Sequence, residues 1–308
     1  MTTKISYMIP ILQHCFIPLI LLLNCLSATA VPLAPLKRNG QTNEVAVAAA
    51  TPEMIEQEYL RVAKKCEFTI AYALPEGVMG DVLSQEEAKK YLPFFFASID
   101  IFPPWFLQQT KLNKVVLCRN LRLRGIRAGG VASSTGIIAL DVPIHSAVIY
   151  HELFHIADKQ RNNPEWNKLN SKQFVYGGNV FNPAAKEMDR SDTKKMEKAK
   201  GDAAIRKDFV SEYAMTSEME DRAETFAFMV TDSRQFAKLA SDSPVLKRKA
   251  EKVKEILRDF SPGMNKDFWS FIANSDDETR MKDLVTRAAL NAQRIKEKKA
   301  VIRSGYLK

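Results

Sequence analysis

The chain has 308 residues, of which 46% are hydrophobic and 26% charged, and its formal net charge is +9. That length and apolar content exclude a disordered chain and allow a sizeable core, so neither a metal nor a disulfide is needed merely to hold a fold together. Beyond the N-terminus no stretch approaches the roughly 18 apolar residues of a membrane span, which excludes a multi-span membrane protein.

Lys4, an apolar stretch over 15–23 and the small-x-small triplet Ala28-Thr29-Ala30 form the three regions of a signal peptide over 1–30. The expectation is export to the periplasm or the cell exterior, with cleavage after Ala30. Leu22-Leu23-Asn24-Cys25 loosely resembles a lipobox, but Asn24 stands where a small residue belongs. Loss of Lys4 alone leaves a mature net charge of +8. Such an excess suits an anionic surface or simply a solvated one. Of the four cysteines, Cys66 and Cys118 remain; export permits a bridge between them, but the sequence does not place them within reach.

Residues 31–52 are polar and Ala-rich with a dibasic Lys37-Arg38, and read as a mobile leader. Residues 53–308 are then expected to form one domain, an α+β lobe over 53–158 and a mainly helical lobe over 159–308. A helix starts near Pro52, with Ile55, Tyr59 and Val62 on one face. A strand over 67–74 follows, then a helix over 84–98 opened by the capping box Ser84-x-x-Glu87. The alternation of 113–123 predicts a strand. Gly125, Gly129, Gly130 and Gly136 surround a polar Ser133-Ser134-Thr135 turn, and 137–142 is an apolar strand. That strand is expected to be the sheet edge that lines a cleft and holds an extended peptide, or else an ordinary central strand. Pro143 fits the first turn of a helix over 144–158. Residues 159–208 are polar, with Trp166, Phe174, Tyr176 and Phe181 as anchors. A helix covers 217–231, and amphipathic basic helices fill 244–302, broken at Ser261-Pro262-Gly263. Strands before 143 and helices after it predict an α+β fold with a small mixed sheet and a mainly helical C-terminal lobe.

The three histidines after residue 30 lie within eleven residues: His145, His151 and His155. The last two form His151-Glu152-Leu153-Phe154-His155, an H-E-x-x-H string. On a helix, positions i and i+4 share a face, so both imidazoles reach one zinc ion, while Glu152 swings toward its open position as a general base. His145 is about 240° away around the helix and does not share that face. Asp158 and Arg161 stand where a Gly and a third His would extend the motif, so the third ligand is expected to be a carboxylate from another helix. Glu220, Ala223, Glu224 and Ala227 share one face of the 217–231 helix. Glu220 is the candidate ligand, and Glu224 a candidate acceptor for a ligand imidazole N–H. The competing reading makes Ser217-x-x-Glu220 a capping box. Asp158 either supports the site or ends the helix.

His151–His155 together with the Tyr-x-x-Thr-x-x-x-Glu-x-x-Ala-Glu segment over 213–224 resembles gluzincin-type metallopeptidases, specifically the lethal-factor-like and putative zinc-binding metallopeptidase families. Gly136-Ile137-Ile138-Ala139-Leu140, Trp166-x-x-Leu169-Asn170 and Phe174-x-Tyr176 support the likeness, which spans roughly 113–272. It implies a zincin-like fold, zinc on His151, His155 and Glu220, Glu152 as base, and Tyr213 as a hydrogen-bond donor to the tetrahedral intermediate. Glu224 stands where the best-known gluzincins carry an Asp. The function expected is that of an exported zinc metallopeptidase, a hydrolase acting on a protein or peptide substrate. The alternative is a non-catalytic secreted binding protein with a structural or vestigial zinc site. Its basic helices, with Lys247-Arg248-Lys249 and Lys296-Glu297-Lys298-Lys299, would dock on an anionic partner. No aromatic-basic platform points to nucleic acid.

Overall fold

The structure, a computed structural model, describes residues 17–18, 57, 60, 63–64, 66–158, 165–177, 202–274, 276–277, 279–280 and 286. The remainder of the expected signal peptide, the 31–52 leader, Pro52, Ile55, Tyr59, Val62, Phe181 and the Lys296–Lys299 run lie outside them.

Among the described residues seven strands form one mixed sheet: β1 (Ile17–Pro18), β2 (Thr69–Ile70), β3 (Val78–Val82), β4 (Lys114–Leu123), β5 (Ile126–Arg127), β6 (Gly130–Ala132) and β7 (Ile137–Asp141), in the order β1-β6-β7-β4-β2, with β3 and β5 also on β4. β4 is the spine. It runs parallel to β7 from Lys114↔Ile137 to Cys118↔Asp141, and antiparallel to β3. β6 returns antiparallel beside β7, through a turn in which Gly136 adopts φ +77, and β1 pairs with its outer side. The strand β7 is therefore interior. The expectation that it forms the sheet edge is corrected: β6, from the glycine-rich stretch read as a turn, lies outside it.

Both sheet faces are covered. Val115, Leu117, Ile138, Leu140 and Ala132 point into the main core, whereas Val116, Cys118, Ala139 and Val131 point into a smaller second one. This is the period-2 alternation of a strand with two buried faces. Cys66 lies in the first core and Cys118 in the second, and the two are not bridged. Burial pushes the Cys118 thiol up to about 12.

The expected 84–98 helix is two helices. Ser84 and Glu87 cap each other at α1 (Gln85–Ala88), and the chain turns at Lys89–Tyr91 before α2 (Leu92–Ile99), where Pro93 occupies the first turn. A proline is accommodated there but not in a continuous helix interior. The helix α3 (Pro104–Thr110) follows. Pro143 lies outside α4 (Ser146–Asp158), which corrects its placement in that helix's first turn; its peptide bond to Val142 is cis. Past Asp158 every regular element described is helical: α5 (Ala203–Arg206), α6 (Glu218–Thr231), α7 (Ser233–Asp242), α8 (Pro244–Phe260) and α9 (Lys266–Asn274), with short 3-10 turns at Asn167–Leu169 and Tyr213–Met215. The α+β arrangement of a small mixed sheet followed by a helical lobe is as expected. No helix among the described residues is long and apolar enough to cross a membrane.

The main core lies between the sheet, α4 and the later helices. Phe102 packs against Tyr150, Phe226 and Phe268, and Phe154 lies 5.2 Å from Phe226. Ser146 and Tyr150 also bond Asp277, tying the start of α4 to the chain beyond α9.

Candidate metal centre

The helices α4 and α6 pack face to face, and their contact brings together the residues the sequence singled out. Every residue of α4 from Ile149 to Asp158 is buried, so both histidines of the string point into protein rather than water. Opposite them, α6 presents Glu220, Ala223, Glu224 and Ala227, all buried. The two alanines allow the close approach.

His151 Nε2 and His155 Nε2 lie 2.8 Å apart, and Glu220 Oε2 lies 3.0 Å from the first and 3.2 Å from the second. These three donor atoms could hold a metal ion. Their chemistry fits zinc: two imidazole nitrogens and a carboxylate oxygen. Two nitrogens so close can share at most one proton, so one lone pair at least faces the common point. Among the described residues Glu220 Oε1 is buried without a hydrogen-bond partner, as suits a carboxylate shaped to meet a cation.

Ser217 caps α6 by accepting from the Glu220 N–H at 3.2 Å. The Glu220 carboxylate does not turn back to complete a capping box; it goes to the histidines. His151 Nδ1 lies 2.9 Å from Glu224 Oε1. Burial opposes a charge on His151, but bonds to Glu220 and Glu224 outweigh it and hold its pKa up to about 10. Glu220 shows the mirror image: burial raises it, while His155 and His151 draw it down to about 2.

Glu152 is fully buried beside the ligand candidates. Tyr213 sits on the 3-10 turn before α6 with its ring 6.0 Å from His151. Burial and the charges of Glu220, Glu152 and Glu224 push its hydroxyl well above the usual range, so it remains a proton donor. His145 is exposed and stands outside the cluster.

Several contributors were not legible in the sequence. Ser211 donates to Glu224 Oε2 at 2.6 Å and accepts from Ala214 N at 3.0 Å, linking the His151–Glu224 pair to the turn that carries Tyr213. Nothing in the local pattern marks this serine. Asp158 meets Arg222 in a buried pair at 2.8 Å, clamping the end of α4 to α6; this answers its open role. Asp221, next to Glu220, receives Trp166 Nε1 at 2.9 Å, the Tyr176 hydroxyl at 2.7 Å and Lys249 Nζ at 2.8 Å. The scattered anchors Trp166 and Tyr176 thus converge on one carboxylate. Lys249 is wholly buried, donates also to the Asp208 carbonyl and lies 3.5 Å over the Phe209 ring. It is no part of a basic docking face, which corrects the reading of Lys247-Arg248-Lys249.

Residues 141–308 match a protein family described as "Putative zinc-binding metallo-peptidase". The match begins at the end of β7 and includes α4 and α6. One solved structure is also similar, that of a zinc-binding metallo-peptidase, itself described as putative, from Bacteroides caccae. The likeness covers 79% of this chain and 94% of that one, at 14% identity and a TM-score of 0.44. No curated protein matches the chain.

Proposed function

The chain belongs to the zinc-binding metallo-peptidase family that its residues 141–308 match, and on that footing we propose that it is an exported, zinc-dependent endopeptidase. The observation that carries this reading is the convergence of His151 Nε2, His155 Nε2 and Glu220 Oε2 in a buried space bordered by Glu152 and Tyr213. A bound zinc ion would supply a Lewis acid that activates water and polarises the scissile carbonyl. His151, His155 and Glu220 would hold it, three protein ligands being the pattern of sites that keep a position open.

The remaining chemistry belongs to side chains. Glu152 takes a proton from the attacking water and returns it to the leaving amine. Tyr213, kept protonated by burial and by its anionic surroundings, donates a hydrogen bond to the developing oxyanion. Glu224 accepts the Nδ1 proton of His151, which fixes the tautomer and leaves the Nε2 lone pair for the metal. An extended substrate lies along the outer side of β6, beside Glu152, pairing main chain with main chain. In the full chain Ile17–Pro18 of the expected signal peptide pairs with that side, and cleavage after Ala30 leaves the strand open. The signal-peptide pattern over 1–30 supports export.

Elemental analysis of the purified chain tests the reading first. The expected result is about one zinc per chain, lost in Glu220→Ala and kept in Glu218→Ala. Glu152→Gln is expected to keep zinc and lose peptide hydrolysis by about a hundredfold or more. Absence of zinc after reconstitution would end the peptidase reading, and full activity in Glu152→Gln would remove Glu152 as the base.

A further inference from the structure

Gly130 opens β6 and is paired with Leu140 of β7. It and Ala132 face α4, while Val131 between them faces the second core. Its backbone gives no reason for glycine, because Gly130 is absent from the positive-φ glycines, Gly77, Gly80, Gly125 and Gly136. Space gives the reason. A Cβ at this position would stand 2.7 Å from Val148 Cγ1, 2.8 Å from Glu152 Cγ and 2.8 Å from Glu152 Oε1. Carbon atoms do not approach so closely, so something must move. Val148 is half-buried, β-branched and stiff at χ1, on a helix that is buried from Ile149 onward. The Glu152 side chain is what gives way.

We propose that Gly130 is a positioning residue for Glu152: the missing Cβ is the space in which the carboxylate of the general base is held. The inference rests on the peptidase reading. It separates two properties that a general packing defect would damage together. None of the three atoms nearest to a Gly130 Cβ belongs to His151, His155 or Glu220, so metal binding is expected to be kept when this residue changes, while placement of the Glu152 carboxylate depends on it.

The test uses the full chain loaded with zinc for kinetics and with cobalt(II) for spectroscopy, as wild type, Gly130→Ala and Glu152→Gln. Acetohydroxamate is the probe: it chelates the metal, and a neighbouring carboxylate accepts its hydrogen bond, so its affinity, read from the cobalt absorption bands, reports the carboxylate without turnover. Gly130→Ala is expected to keep one metal per chain and an unchanged KM. Its kcat should fall about a hundredfold, and its acetohydroxamate affinity about tenfold, as in Glu152→Gln. Wild-type kcat and hydroxamate affinity in Gly130→Ala, with both lost in Glu152→Gln, would overturn the proposal and leave the peptidase reading standing. No effect in Glu152→Gln would overturn both. If Gly130→Ala does not hold metal, Gly130→Ala/Val148→Ala is measured in its place, since it removes the Val148 methyl from the same space. Failure of that variant to hold metal also overturns the proposal, because the ligand set was inferred to be independent of this position.

Discussion

Glu220 and Glu224 lie one turn apart on α6 and do different work because each meets a different nitrogen of the same ring. Glu220 reaches His151 Nε2 and Glu224 reaches His151 Nδ1. The imidazole is thus oriented from both ends, and Ser211 restrains the Glu224 oxygen that does not touch it. On the proposed function, a hydroxyl two hydrogen bonds removed from the candidate ligand then bears on metal affinity, since the partners of a ligating imidazole typically contribute 10- to 100-fold. Ser211→Ala is therefore expected to weaken zinc binding about tenfold in competition with a chromogenic chelator, and Ser211→Thr to restore it. Equal affinity in Ser211→Ala and wild type would show that Glu224 holds its place unaided.

At the scale of elements, the first turn of α6 must stay where it is for Glu220 to meet α4. Ser217 caps that turn, and Asp221 anchors it to the Asn167–Leu169 region and to α8 through Trp166, Tyr176 and Lys249. Asp221 and Lys249 are both completely buried. Burial pushes each toward its neutral form, raising Asp221 and lowering Lys249, while their mutual attraction opposes it. Removing one partner leaves a buried charge uncompensated, which typically costs about 3–5 kcal/mol, whereas replacing both with apolar groups is often close to neutral. Lys249→Met should lower the unfolding free energy from urea titration by an amount in that range, and Asp221→Leu/Lys249→Met should recover most of it. A Lys249→Met protein as stable as wild type would mean that the Trp166 and Tyr176 donors suffice for Asp221.

For the molecule as a whole, the candidate metal centre joins the sheet-bearing half to the helical half, since α4 follows β7 and α6 belongs to the helical lobe. Its protonation therefore contributes to the stability of the metal-free protein. The pKa of His151 is raised from 6.5 to about 10, so this contribution is complete below pH 6.5 and is lost as pH rises through about 10. Glu220, lowered from 4.5 to about 2, contributes fully above pH 4.5 and loses its share as pH falls toward 2. The chelator-treated protein should therefore show a falling Tm from pH 6.5 to 10 in scanning calorimetry. The zinc-loaded protein should hold its Tm across that window, because the metal takes the place of the proton. A metal-free Tm that is flat between pH 6.5 and 10 would mean that His151 is not held charged by its two carboxylates.

The α+β order, the α4 and α6 helices, the spacing of His151, Glu152 and His155, and the face shared by Glu220 and Glu224 were all readable from the sequence. They follow from local rules: the two-residue period of strands, the i, i+4 geometry of helices and capping at Ser84 and Ser217. What tertiary structure decided was which faces meet. The apolar run at Ile137–Asp141 reads the same for a covered edge strand as for an interior one, and the glycines that conceal β6 read as a turn. Ser211, Lys249 and Gly130 carry no local signature, because each matters through a partner 13 or more residues away: Glu224, Asp221 and Glu152. Periodicity fixes the direction in which a side chain leaves its own element, but the packing of two elements determines what it finds there.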